Sequence, residues 1–365
     1  MSLGENLFEP GRIGDLVLPN RLVMAPLGRA RSDLATRAPL ERVATYYGQR
    51  ASAGLIVSEA THVSPFSVSR PGGSAIHTQA QIAGWKQVTK TVHRQGGRIF
   101  QQLFHLGRKA HVERLPDNRI PIAPSAIAAI GDVPVAGGLA PFPVPRALET
   151  GEIQGIIDEF HLAAVNSRAA DFDGVEIHAA NGYLIDQFLR DRSNRRQDLY
   201  GGSIENRARF LLAIVDAAVN VFGASRVGVR ISPHFTQDGI DDSNPASLYG
   251  YVAQELDRRR IAYLHVIEPD TIAPPERIAP HLRTHYSGAL ILCGEFTHES
   301  GERALTERRA DFIAFGRLYI ANPDLVARFR LQAPLNAPDP ATFYSGGDEG
   351  YIDYPSLTPA LAEVS

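Results

Sequence analysis

The chain has 365 residues, 44% of them hydrophobic and 21% charged, which is ordinary for a globular fold and excludes wholesale disorder. Its 37 Lys and Arg against 40 Asp and Glu leave a net charge of −3, so no basic field exists for nucleic acid or an anionic membrane. A single cysteine, Cys293, excludes an internal disulfide, a multi-cysteine zinc site and an iron–sulfur cluster.

The chain begins MSLGENLFEP, with no basic stretch leading into an apolar one, and no later run reaches the roughly 18–20 apolar residues of a membrane helix. A cytoplasmic protein is expected. GRIGDLVLPN (11–20) reads as a small hairpin placed to plug the N-terminal mouth of a barrel. Eight short, nearly continuous apolar runs follow: RLVMAP (21–26), GLIVSEA (54–60), RIFQQLF (98–104), GVEIHAA (174–180), VGVRIS (227–232), YLHVIE (263–268), ALILCGE (289–295) and DFIAFGR (311–317). Strands buried on both faces look like this. Between them lie stretches of helical period, such as 152–170 and 204–221. Eight β-then-α units predict an α/β fold, a closed (β/α)₈ TIM barrel, with a doubly wound open sheet as the alternative. One domain spanning 1–365 is expected. Residues 105–145 carry seven prolines and Gly137-Gly138, so they cannot form one helix. Following the third strand, they lie at the barrel's C-terminal face and are read as an ordered excursion that caps the pocket.

Catalytic groups of such barrels come from strand C-terminal ends. Those ends are Pro26, Leu27 and Gly28; Ala60; Gln102; His178; Arg230; Glu268; Gly294; and Gly316 with Arg317. Glycines after the seventh and eighth strands suit a phosphate held by backbone N–H groups, with Arg317 adding a fork of donors; tight turns alone would also explain them. His178 and Asn181 stand three apart where IHAANGYL leaves a strand, so both can converge on one oxygen and polarise a carbonyl or nitro group. Tyr183 adds a phenol as proton donor. The bland readings are a satisfied core histidine, a turn asparagine and an interfacial tyrosine. Gln102 can meet an imide edge such as a flavin's, and Arg230 can stabilise negative charge on a reduced flavin or sit in a buried ion pair. No GxGxxG follows any strand, and neither HExxH nor Cys/His spacing offers a metal site.

These residues carry a resemblance. From LFEPGRIGDLVLPNRLVMAPL to TFYSGGDEGYIDYP, and most specifically over GVEIHAANGYLIDQFLRDRSNRRQDLYGGSIENRARF (174–210), the chain resembles the Old Yellow Enzyme family of FMN-dependent ene-reductases. QQLFHLGR, IAPSAIA, PFPVPRALETGEI and DFIAFGRLYIANPDLV support it. The resemblance implies a (β/α)₈ barrel with non-covalent FMN, reduced by NADPH or NADH and reoxidised by an activated alkene. It implies that His178 and Asn181 grip the substrate oxygen, that Tyr183 protonates Cα, and that flavin N5 gives hydride to Cβ. It makes Pro26, Leu27, Gly28, Ala60, Gln102 and Arg230 flavin-ring contacts, and Gly294, Glu295 (by its backbone), Gly316 and Arg317 the phosphate site. Phe343 would also contact the cofactor, Phe104 and Tyr344 would contact the substrate, and Phe343 and Tyr344 would close the pocket from the C-terminal side.

Two departures stand out. Many relatives have Thr where this chain has Gly28, its hydroxyl bonding the flavin C4 oxygen; a Gly there lacks the donor unless an ordered water replaces it, which predicts a lower flavin potential, and the alternative is that Gly stands there because the turn needs φ > 0. Phe104 stands where QLW is common. The expected substrates are enones, maleimides, nitroalkenes or nitrate esters, acted on by a monomer or homodimer. A nitrate-ester or nitroaromatic reductase is the neighbouring reading; a flavin binder without turnover, or an aldolase, is the more distant one. An aldolase would want a Lys at a strand end, and none of the eight has it.

Overall fold

The computed structural model describes residues 5–357; residues 1–4, which begin the stretch read above for a leader, and 358–365 lie outside it. An antiparallel hairpin comes first, β1 (Gly11–Ile13) and β2 (Leu16–Leu18). Its two-residue turn puts Gly14 at φ +55°, and a side chain there would run into the Ser225 carbonyl. Then come β3 (Leu22–Met24), α1 (Glu41–Gly48), β4 (Leu55–Val57), the two-residue β5 (Thr61–His62), α2 (Gln79–Arg94) and β6 (Ile99–Phe104). The excursion holds β7 (Ile122–Ala123), β8 (Asp132–Val135), β9 (Gly138–Pro141) and β10 (Arg146–Ala147). After it the βα rhythm resumes with α3 (Ile153–Ala169), β11 (Gly174–Ala179), α4 (Leu184–Leu189), α5 (Ile204–Phe222), β12 (Val227–Ile231), α6 (Pro245–Arg258) and β13 (Tyr263–Ile267). It ends with α7 (Ala279–Arg283), β14 (Ala289–Cys293), α8 (His298–Thr306), β15 (Phe312–Phe315), α9 (Arg317–Ala321) and α10 (Leu325–Arg330).

Parallel pairing runs β3–β4–β6–β11–β12–β13–β14–β15 and closes from β15 back to β3. This is the (β/α)₈ barrel, and every one of the eight apolar runs supplies one strand. The strands themselves are only three to six residues long, the buried middle of each run. Helices start where their caps dictate: Thr78 closes a capping box with Gln81 at α2, and Asn244 caps α6 ahead of Pro245. The helices' apolar faces pack on the outside of the sheet and form the larger core.

Inside the barrel, Ile13, Leu16 and Leu18 of the hairpin pack on Val23, Leu55, Phe100 and Phe312. Arg226, at the entry to β12, pairs with Asp15 of the hairpin turn, so the plug sits at the N-terminal mouth. The excursion is ordered by its backbone. β7 pairs with β10, β8 with β9, and the buried Arg108 donates to the carbonyls of Ile127, Ala128, Asp238 and Gly239.

Candidate active site

With one mouth plugged, the remaining polar side chains of the barrel face the other. Alternate strand positions point inward, and the register places His178 beside Arg230, Arg230 beside His265, and Glu176 beside Gln102. Two cavities open there and share Pro26, Leu27 and Arg230. The smaller, about 280 Å³, also reaches Gly28, Ala60, Gln102, Phe104, His178, Asn181, Tyr183, Phe343 and Tyr344. The larger, about 700 Å³, takes in Gly294, Glu295, Gly316 and Arg317. Of the strand ends and turn residues singled out from the sequence, all but Glu268 line this one composite space; the Glu268 carboxylate instead accepts from the backbone N–H groups of Ile278 and Ala279 at 2.6 and 3.0 Å.

The turn after β11 is built to hold Asn181 in place. Asn181 lies at φ +57°, a left-handed conformation that Asn tolerates better than most residues. Its N–H donates to Ser232 Oγ at 2.8 Å, and its carbonyl accepts from Lys109 Nζ at 3.3 Å. Behind it, the Gly182 N–H donates to Asp186 Oδ2 at 2.9 Å, and the buried Arg190 guanidinium pairs with Asp186 at 2.9 Å. The Asn181 side-chain amide donates to no protein group among the described residues. His178 is 3% exposed with Nδ1 buried and unpartnered, which leaves Nε2 as the nitrogen open to the cavity. Burial, then the charges of Arg230, His265 and Lys109, push its pKa well below the ordinary histidine value, so the ring is neutral at pH 7. The Tyr183 ring stands edge-on to His178 at 5.1 Å and to Phe104 at 5.2 Å.

Arg230 is not in an ion pair among the described residues. Its Nη2 donates to Cys293 Sγ at 3.5 Å and its Nε is buried without a partner. The carboxylate beside it, Glu176, is taken by His265 Nδ1 at 2.8 Å and by Gln102 Nε2 at 2.7 Å. Burial alone would raise the Glu176 pKa, but His265 and Arg230 hold it below the ordinary value; against the same burial, Glu176 raises that of His265. Gln102 Nε2 spends one of its two N–H groups on Glu176, which leaves the other N–H and Oε1 of its amide without a protein partner among the described residues. In the larger cavity Gly294 has φ +147° and Glu295 φ +58°, successive positive-φ residues that turn backbone groups into a concave surface.

A sequence profile of the NADH:flavin oxidoreductase / NADH oxidase family matches residues 6–336. The chain is 40% identical to an old yellow enzyme homologue from Zymomonas mobilis, with a TM-score of 0.92 and coverage of 96% of this chain and 100% of that one. The chain belongs to the Old Yellow Enzyme family. Morphinone reductase is a second solved relative of this Old Yellow Enzyme chain, at 48% identity, TM-score 0.93 and 99% coverage of both chains; a further structure shows it in complex with tetrahydroNAD. A probable flavin mononucleotide-dependent alkene reductase of Leishmania infantum is 41% identical over 357 residues, which is 96% of this chain and 97% of that one.

The residues of this Old Yellow Enzyme barrel fit FMN. A buried guanidinium without a carboxylate, Arg230, faces the cavity and is matched to an electron-rich ring edge. Arg317 is exposed, donates to no protein group among the described residues, and lines the larger cavity beside Gly316, as a phosphate group requires. Several residues here were missed in the sequence. Glu176 and His265 lie within the apolar runs VEIH and YLHV, and only their polarity at inward positions marks them. Lys109 and the buried Glu59, which accepts from Ser74 Oγ at 2.9 Å and lines the smaller cavity, carry no motif. Arg29 and Arg31 are a third omission. They donate to the carbonyls of Phe343, Gly350, Gly347 and Thr342, tying the segment of Phe343 and Tyr344 to the loop after β3.

Proposed function

We propose that the chain is an NAD(P)H-dependent ene-reductase that reduces the activated C=C bond of α,β-unsaturated carbonyl or nitro compounds. The observation that supports it best is the convergence of His178, Asn181 and Tyr183 on one small cavity that shares a wall with the residues suited to FMN. FMN, when bound, accepts a hydride from the nicotinamide and passes it to Cβ of the alkene. The neutral His178, protonated on Nε2, and the Asn181 amide give two donors for the carbonyl or nitro oxygen, where negative charge grows as the alkene is reduced. Tyr183 holds the proton destined for Cα. Phe104, Phe343 and Tyr344 wall the cavity and keep water from it.

Gln102 and Arg230 serve the flavin ring, the first through its amide and the second through its charge; Pro26, Leu27, Gly28 and Ala60 bound the ring. Gly294, Glu295, Gly316 and Arg317 hold the phosphate. The purified protein is expected to be yellow, to bleach with NADPH or NADH without oxygen, and to recolour with 2-cyclohexenone. A protein that takes up FMN and is bleached by neither nicotinamide overturns the reading. Recolouring by nitrate esters but not by enones redirects it to the nitro and nitrate-ester class.

A further inference from the structure

The rim of the smaller cavity carries an arginine cluster that the reaction just described does not use. Arg70 lines that cavity and stacks its guanidinium on the Tyr344 ring at 4.0 Å. Arg37 Nη1 donates to the Arg70 carbonyl at 3.4 Å, while Arg114 donates to the carbonyls of Ser69 and of Pro134 in the β8–β9 hairpin. Arg37 and Arg114 line a neighbouring cleft of about 510 Å³, together with His77, whose Nε2 is buried and unpartnered among the described residues. The ridge between cavity and cleft thus brings three guanidiniums together.

No carboxylate lies within ion-pair distance of any of the three among the described residues. Glu113, next to Arg114, instead accepts the Ala136 N–H at 3.3 Å. The pKa values of Arg37 and Arg114 lie below the ordinary arginine value, through burial first and then through the charge of neighbouring arginines. Glu113 lines the same cleft and offsets part of the effect at Arg114, but it pairs with none of the three, and like charges gathered with so little compensation repel and cost folding energy. Guanidiniums match phosphate and carboxylate with paired N–H donors, so an anion arriving from outside relieves that repulsion.

We propose that Arg37, Arg70 and Arg114 form a subsite for an anionic group, phosphate or carboxylate, on the molecule whose reactive end occupies the smaller cavity. The identity of that molecule rests on the ene-reductase reading; the anion site does not. Two sources carry the chemistry: the pyrophosphate of the nicotinamide reductant, and an acid group on the alkene acceptor.

The test uses the FMN-loaded protein, so that the flavin phosphate site is filled. Inorganic pyrophosphate and succinate are titrated by calorimetry into the wild type, Arg70→Gln and Arg37→Gln, at low and high salt. Arg70 is exposed, so its variant keeps the fold, and Arg37→Gln is a second, independent one. Binding of at least one anion to the wild type is expected, weakened by salt and by about tenfold in each variant. Half-reactions then assign the source. A tenfold higher Kd for NADH or NADPH at an unchanged limiting rate names the reductant. A higher KM for a carboxylate-bearing enone, with cyclohexenone unaffected, names the acceptor. The subsite is overturned if neither anion binds the wild type, or if binding is equal in all three proteins. A wild type that binds pyrophosphate at the ridge but is bleached by no nicotinamide loses the ene-reductase reading alone.

Discussion

Gly28→Thr separates two explanations of the residue that departs from the family pattern. A glycine kept for its conformation would have φ > 0, but Gly28 lies outside the left-handed region, and a Cβ built on it meets no atom within 4 Å. Thr is therefore expected to fit without strain, and replacing Gly lowers the entropy of the unfolded chain, so stability should hold. What changes is a hydroxyl at the flavin edge. A hydrogen bond to a charged acceptor is worth about 1.5–3 kcal/mol and to a neutral one about 0.5–1.5 kcal/mol. The reduced, electron-rich ring thus gains about 1–1.5 kcal/mol over the oxidised one. For a two-electron couple, about 1.4 kcal/mol is 30 mV, so the potential should rise by about 20–30 mV. Spectroelectrochemistry on the FMN-saturated variant reads this directly, and stopped-flow should show faster reduction by the nicotinamide and slower reoxidation by enone. A potential that stays put or falls refutes the redox role of this position.

Tyr183→Phe keeps the edge contacts with His178 and Phe104 and removes a hydroxyl that bonds no protein group among the described residues. Reoxidation by enones should slow by about 10²–10⁴ while reduction by NAD(P)H and thermal stability hold; slower reduction instead would make Tyr183 a nicotinamide contact. Glu176→Gln replaces the buried carboxylate that His265 Nδ1 and Gln102 Nε2 bond, and urea denaturation should show a loss of about 1.5–3 kcal/mol; an unchanged midpoint would mean that the carboxylate's charge does not support this layer. Burial brings the His105 pKa down to about 3. Neutral in the fold, it takes up a proton near pH 6.5 once unfolded, so stability falls as pH drops from about 6.5 toward about 3, by about 1.4 kcal/mol per pH unit. His105→Gln should flatten that loss in denaturation curves taken at several pH values, and parallel curves would contradict it.

The barrel was legible because buried parallel strands are nearly uniform in their apolarity, and each of the eight runs stands out against amphipathic neighbours. The hairpin was legible from its glycine turn and from having no helix after it. His178, Asn181 and Tyr183 were found because they leave one strand end together, within six residues. The polar layer beneath them was not, since Glu176 and His265 sit on different strands and meet only through barrel closure. The arginine clasp was out of reach for a related reason. Arg29 and the Phe343 carbonyl are 314 positions apart and meet through backbone acceptors, which leave no trace in residue type. At Arg230 the sequence allowed an ion pair or a flavin contact; the structure gives the neighbouring carboxylate to His265 and leaves the guanidinium facing the cavity.

The central claim is that His178 and Asn181 grip the acceptor's oxygen in a site where FMN does the redox work. The most direct measurement is the oxidative half-reaction of the FMN-loaded His178→Ala/Asn181→Ala protein with 2-cyclohexenone, followed by stopped-flow after anaerobic reduction. Losing one such donor costs about 10²–10³ in rate, so reoxidation should slow by at least that factor while the protein stays yellow. Reoxidation at the wild-type rate would contradict the account.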